Sequence, residues 1–572
     1  MTDRIEGVHI TRRSFLKGVG LVAVGAGLGL PGCSTATGSG AGASSQATGA
    51  SASASSGGQA TPLLAIIHTN DTHGHDMEVA ATANSEGNFS MAAIPQLKAD
   101  WEAKGYEVLI VDSGDATQGT PLVDQSNGEA GITFMNACGY AAMAVGNHEF
   151  DRGPDELAAY EKLAEFPLLS ANVLDAKTGE LRFKPNTIVE LVGGTKVGLF
   201  GLTTPSTMTT TKPAMNKDFR FLGGEELYEC AQKQVDELRA QGADLVVCLG
   251  HLGNTELCKP STSIEVLNNV KGIDLFLDGH DHELVEQEVA GTLLVETGCY
   301  MHNIGLVAID EGMPANNSIA YGSYDGVDAP AQKVIDDAND QVSEELAVAL
   351  GHTDFFLDGE RDPGLRTQET NLGDFCTDAY RWAAEQTTGK AVDAAILNAG
   401  GIRASVEVGD ISLGDIKTVF PFVDQVCVVN VTGAQLLEVL EAGYQGAGSE
   451  PIGAFPQVSG IELTVNATVP YEKGELYPDS TFYGPAKPGS RVTIHSVGGR
   501  EWKADERYSI AAGDFICQGG DTYYALKQAA DAETPIMCDF DYEALSGYLV
   551  VACDHEVPKE YSEPRDRIRI VK

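Results

Sequence analysis

From residue 63 onward, short apolar runs alternate with amphipathic stretches, the pattern of strands and helices layered in an α/β domain. Five runs, at 63–67, 108–111, 141–145, 245–249 and 273–277, lead directly into polar residues of the metal-binding kind. Loops at the carboxyl ends of such strands are where open α/β sheets carry their sites. Between Gly312 and Gly351 the chain turns polar. It then predicts a helix from Pro330, with Val334, Ala338, Val342 and Leu346 at four-residue spacing. We set the domain boundary there, with a first domain over 63–330, a linking helix over 331–350 and a second domain over 351–572.

The polar residues behind the five runs form an ordered series. The first run leads into Asp71-Thr72-His73, the second into Gly114-Asp115, and the third into Gly146-Asn147-His148-Glu149-Phe150-Asp151. The fourth leads into Gly250-His251 and the fifth into Gly279-His280-Asp281-His282. Taken singly, an Asp at a strand end reads as a cap and a His as a satisfied loop residue. Together, side-by-side strands would gather two carboxylates, one amide oxygen and four imidazoles: Asp71, His73, Asp115, Asn147, His251, His280 and His282. That set is too rich for one ion. Asp115 is the natural bridge, one carboxylate oxygen to each of two cations roughly 3.5–4 Å apart. Mixed nitrogen and oxygen ligands suit zinc, manganese or iron better than calcium. His148 and Asp151 are spaced i and i+3, close enough for the carboxylate to orient the imidazole. His68 and His75 read as structural.

Composition narrows the partners. With 43% hydrophobic and 21% charged residues the chain is ordinary globular material, and its 572 residues suit about two to four domains at roughly 150 residues each. Its 82 Asp and Glu against 38 Lys and Arg give a net charge of −44, which repels nucleic-acid polymers and anionic lipid. Eleven cysteines without a CxxC pair suggest neither a disulfide mini-domain nor a zinc ribbon.

The N-terminus reads as an address over residues 1–33. Arg12-Arg13-Ser14-Phe15-Leu16-Lys17 precedes an apolar run at 18–30, shorter than the roughly 20 residues a membrane-spanning helix needs. It resembles the twin-arginine export signal. Leu30-Pro31-Gly32-Cys33 resembles a lipobox, which implies acylation of Cys33, a lipid anchor as the only membrane contact, and a location at the cell surface or in the periplasm. Residues 34–62 form a flexible tether, since 34–61 hold only Ala, Ser, Gly, Thr and Gln; its reach is roughly 30 Å.

The strand-end series resembles the calcineurin-like metallophosphoesterases, and Gly-Asn-His-Glu-Phe-Asp resembles their 5'-nucleotidase branch. The resemblance implies a layered α/β/β/α metallophosphoesterase domain followed by an α+β nucleotide-binding domain. It also implies two divalent ions, one held by Asp71, His73, Asp115 and His282, the other by Asp115, Asn147, His251 and His280. His148 and Asp151 become the catalytic dyad that binds no metal.

In the second half, Arg366-Thr-Gln-Glu-Thr-Asn371, Asn398-Ala-Gly-Gly-Ile-Arg403, Phe420-Pro-Phe422, Asp514-Phe515 and Gln518-Gly-Gly-Asp521 resemble the same family's substrate domain. That implies Phe422 and Phe515 stacking a nucleobase, Asp521 binding ribose hydroxyls, and Arg366, Asn398 and Arg403 around the phosphate. The expected substrates are nucleoside 5'-monophosphates, with di- and triphosphates or nucleotide sugars also open. A 2',3'-cyclic-nucleotide phosphodiesterase/3'-nucleotidase is the close rival, and a catalytically silent surface protein that binds metal or nucleotide is the rival of another class.

Overall fold

The computed structural model describes residues 63–82, 86–310 and 313–572. The export-type segment, Cys33 and the tether lie outside them. Two sheets make the first domain. One runs in the order Met313–Asn316, Asn303–Asp310, Leu64–Thr69, Glu107–Asp112, Ala142–Ala144, Leu168–Leu169. Its last four strands are parallel. The other runs Leu284–Val289, Thr292–Thr297, Leu275–Leu277, Leu245–His251, Lys196–Thr203, Asn186–Glu190, with the inner four parallel.

Side-chain alternation explains how the sheets stack. In Leu64–Thr69, Leu64 and Ile66 turn one way and join Leu109, Val111, Val197, Leu199, Val247, Leu249, Leu275 and Leu277 in a buried layer between the sheets. Ala65 and Ile67 turn the other way, onto the helices Ala93–Glu102 and Glu129–Cys138. In Leu245–His251, Val246 and Cys248 meet the helix Glu225–Ala240 through Leu227, Ala231, Val235 and Leu238. Strands covered on both faces need continuous apolar sequence, which is why the runs are unbroken. The result is the α/β/β/α order.

The helix Ala329–Leu346 is capped by the Asp328 side chain, which accepts the Ala331 amide at 2.8 Å. Its buried stripe is Ala331, Ile335, Ala338 and Val342; Val334 and Leu346 are half-buried at its margin. A strict four-residue spacing drifts by about 40° per step around a helix of 3.6 residues per turn, so the inward face alternates steps of three and four instead. The helix packs on the first domain's core, and near its end Glu345 pairs with Lys417 of the second domain at 3.2 Å.

The second domain centres on a five-stranded sheet in the order Pro456–Ser459, Ala394–Asn398, Arg507–Gly513, Gln425–Thr432, Ile536–Phe540. The long helix Asn371–Thr388 packs on it within one core. Register places the substrate motifs together. Ala394–Asn398 runs parallel to Arg507–Gly513, so Asn398 and Phe515 leave the same edge. Gln425–Thr432 is antiparallel, with Val426 opposite Gly513, so Phe422 enters at that edge.

Among the described residues, no helix is long and apolar enough to cross a membrane, and the ten cysteines are unpaired. Leu249 is fully buried between the two sheets. Leu249→Ala is expected to destabilise the first domain by about 2–5 kcal/mol, whereas Val192→Ala, at a fully exposed side chain, stays within about 0.5 kcal/mol; urea unfolding of the two variants checks this.

Candidate active site

Because the ligand-type residues follow parallel strands in two facing sheets, they emerge at one edge. Tight turns aim them inward. Asp71 (φ 49°), His73 (47°), Asp115 (61°), His280 (93°) and His282 (64°) all sit in the left-handed region, which non-glycine residues occupy at a cost. Gly146 is required by proximity: a Cβ there would lie 2.2 Å from Asp115 Oδ1.

The side chains meet. His73 Nε2 lies 3.1 Å from His282 Nε2, and Asp71 Oδ1 lies 3.3 Å from His282 Nε2 and 3.8 Å from His73 Nε2. Asp115 Oδ2 is 3.1 Å from His251 Nε2 and 3.8 Å from His73 Nε2. Asn147 Oδ1 is 3.1 Å from His251 Nε2. His280 stands at the rim. Its amide donates to Asp71 Oδ2 at 2.9 Å, its Nε2 is 3.4 Å from Ser206 Oγ, and its ring centre is 5.2 Å from that of His251. Asp115 Oδ1 accepts the His148 amide at 2.8 Å, and Oδ2 faces both groups of ligands.

These donors fit divalent cations. Asp71 Oδ1 is buried without a hydrogen-bond partner, an expensive state for a carboxylate unless a cation compensates it. His251 Nδ1 lies 2.8 Å from the Ser113 carbonyl, so that nitrogen carries a proton, and Nε2 is turned into the cluster, where Asp115 and Asp71 outweigh burial and raise the ring's pKa well above the ordinary imidazole value. Burial pushes the His73 and His282 pKa values well down, aided by Arg403 beside His73 and Arg361 beside His282; both imidazoles are therefore neutral and open to coordination. Ligand atoms of Asp71, His73 and His282, and of Asp71, Asp115 and His251, lie within 4.8 Å of one another.

His148 Nδ1 is 2.7 Å from Asp151 Oδ2, and its Nε2 points to the cluster, 4.0 Å from Asp115 Oδ2. Burial disfavours its cation, but Asp151 and Asp115 outweigh burial and raise its pKa. Glu149 follows His148 in the chain. It is fully buried and accepts the amides of Asp115 (3.0 Å), Ala116 (2.9 Å), Thr117 (3.2 Å) and Gly146 (2.7 Å). It thus ties the Asp115 turn to the Asn147 turn.

One pocket joins this cluster to the second domain, lined by Asp115 and His148 from the first half and by Arg366, Arg403, Phe422, Phe515 and Asp521 from the second. Arg403 Nη2 comes to 3.4 Å from His73 Nε2, and Phe422 stacks on His148 at 5.4 Å between centroids. Asn398 lines the pocket too. Its Nδ2 donates to Asp521 Oδ2 at 3.0 Å. Burial, offset in part by Asn398 and Arg366, pushes the Asp521 pKa up to about 6. Gly520 is needed because a Cβ there would strike the Phe515 ring at 2.2 Å. Arg361 and Lys212 also line the pocket; nothing in their local sequence separates them from surface cations. His68 is buried between the sheets and His75 packs on Tyr300 at 4.4 Å.

Residues 64–284 match the calcineurin-like phosphoesterase family and residues 349–528 match the 5'-nucleotidase C-terminal domain, in that order. The chain belongs to the 5'-nucleotidase family. Members of this family are metallophosphatases that hydrolyse phosphoric monoesters, and the calcineurin-like domain uses divalent metals. The trifunctional nucleotide phosphoesterase protein YfkN of Bacillus subtilis is 30% identical over 84% of this chain, which spans 33% of that longer protein. The 5'-nucleotidase of Vibrio vulnificus is 27% identical over 81% of this chain and 86% of its own. The crystal structure of a 5'-nucleotidase precursor from Thermus thermophilus superposes with a TM-score of 0.74 at 28% identity, covering 89% of this chain and 99% of that one. A sulfate thiohydrolase, SoxB, from Thermus thermophilus shares the fold at a TM-score of 0.67 and 19% identity, with 89% of this chain and 96% of that one covered.

Glu149→Gln replaces one acceptor oxygen with a donor facing backbone amides. The variant is expected to bind zinc or manganese about 10–100-fold more weakly, measured by competition with a chromogenic chelator.

Proposed function

We propose that this chain removes phosphate from nucleoside 5'-monophosphates, using two divalent cations. The observation that carries the reading is the single pocket that joins the carboxylate–imidazole cluster to two aromatic side chains and a carboxylate of the second domain. Asp71, His73, Asp115 and His282 would hold one cation, and Asp115, Asn147, His251 and His280 the other. When bound, such a pair supplies Lewis acidity that deprotonates water near neutral pH and offsets charge on the phosphoryl oxygens.

The remaining work falls to the protein. Arg366 and Arg403 offer paired donors to the phosphate without losing charge. Phe422 and Phe515 stack the base, a contact that tolerates different bases. Asp521, steadied by Asn398, takes the ribose hydroxyls. This holds the 5'-phosphorus at the cluster for in-line attack by water, with the nucleoside oxygen leaving opposite. His148, oriented by Asp151, donates to the phosphoryl oxygen on which charge grows.

A wider range over nucleotide phosphoesters is the second reading, supported by the trifunctional relative. The residues resembling a twin-arginine signal and lipobox support export and acylation at Cys33. If so, Cys33→Ser is expected to move the protein from the membrane fraction to the soluble exported fraction; an unchanged distribution on blotting overturns the anchor.

Phosphate release from AMP, 3'-AMP and 2',3'-cyclic AMP, measured side by side with elemental analysis, tests the activity. We expect AMP to be preferred and two transition-metal equivalents per chain; preference for the cyclic or 3' substrate favours the other branch. His148→Ala is expected to lose about 10²–10⁴-fold in kcat while retaining metal, and Asp115→Ala to lose the metal.

A further inference from the structure

The strand Lys196–Thr203 ends at the same edge as the ligand-bearing strands but gives the cluster no ligand. The segment behind it, 204–216, instead touches both the cluster and the second domain. Ser206 meets His280 at 3.4 Å. The Thr209 carbonyl accepts the Asp521 amide at 2.7 Å. Lys212 Nζ lies 3.0 Å from Asp424 Oδ1 and 3.4 Å from Asp514 Oδ1, with the three side chains only 11–19% exposed.

Those two carboxylates flank the two aromatic walls. Asp424 is two residues beyond Phe422, and Asp514 immediately precedes Phe515. Asp514 Oδ1 also accepts the Gln425 amide at 3.0 Å, linking one wall's backbone to the other. Val423, between Phe422 and Asp424, is held at φ 53°, a conformation a β-branched residue adopts only under outside constraint. Asp541 adds a third carboxylate behind Asp424, accepting its amide at 3.0 Å. Without the ammonium, Asp424 and Asp514 would face each other as like charges in a half-buried setting, which drives them apart. Nζ is thus engaged by two carboxylates of the second domain.

We propose that Lys212 is a positioning residue for base recognition. Reaching from the metal-bearing domain, it holds both aromatic walls, through Asp424 and Asp514, at the spacing and place over the cluster that a stacked nucleobase needs. The proposal rests on the nucleotide reading above.

The test compares AMP with ribose 5-phosphate, which shares the phosphate and ribose but lacks the base, using the full chain with its metals. In Lys212→Met the ratio of kcat/KM for AMP to that for ribose 5-phosphate is expected to fall about tenfold or more, within the range that loss of one stacked base allows. The loss is expected mainly in KM, with metal content unchanged, and Lys212→Arg is expected to recover the ratio to within about threefold. Asp514→Asn, which keeps the Lys212–Asp424 pair, is expected to move the ratio the same way by less, and it serves as the second variant if Lys212→Met folds poorly. An unchanged ratio in either variant, or equal losses on both substrates, overturns the role while leaving the nucleotide reading intact. A wild-type protein that handles AMP no better than ribose 5-phosphate overturns both.

Discussion

Two buried carboxylates, Asp71 and Asp115, face a group of imidazole nitrogens, and Asp71 Oδ1 finds no hydrogen-bond donor among them. Buried charge persists only when it is compensated, and the architecture is arranged to bring this demand about. Parallel strands in both sheets deliver the donors to one edge, and left-handed turns bend them inward. Glu149 absorbs the amides that those turns leave unpaired.

The second domain completes what the first begins. Arginines 366 and 403 reach the cluster's mouth, and the Phe422 ring lies against the imidazole of the His148–Asp151 pair. The overall charge of −44 works against a nucleotide at a distance. Screening over roughly 8 Å at physiological salt confines that repulsion, so the arginines and the cations the cluster would hold dominate near contact. Recognition here is local.

The sequence made the fold class and the cluster's membership legible because the cue was local: an apolar run, then a ligand-type residue, five times over. What it hid depended on tertiary geometry. Glu149 lies within the Gly146–Asp151 motif, yet its four amide partners come from two turns that only folding brings together. Arg361 and Lys212 resemble any surface cation until the two domains meet. The hydrogen bond from Asn398 to Asp521 joins residues 123 positions apart. The helix Ala329–Leu346 was legible as a helix, while its inward stripe differed in phase from the four-residue spacing, because strict fours spiral off one face.

The amide of Asp521 ends on the carbonyl of Thr209, so the carboxylate read as the ribose's partner is anchored by backbone to the opposite domain. Whatever occupies the pocket thereby favours the association of the two halves, and by thermodynamic reciprocity their association favours the occupant. Occupancy of the pocket and interdomain cohesion are then two measures of one equilibrium.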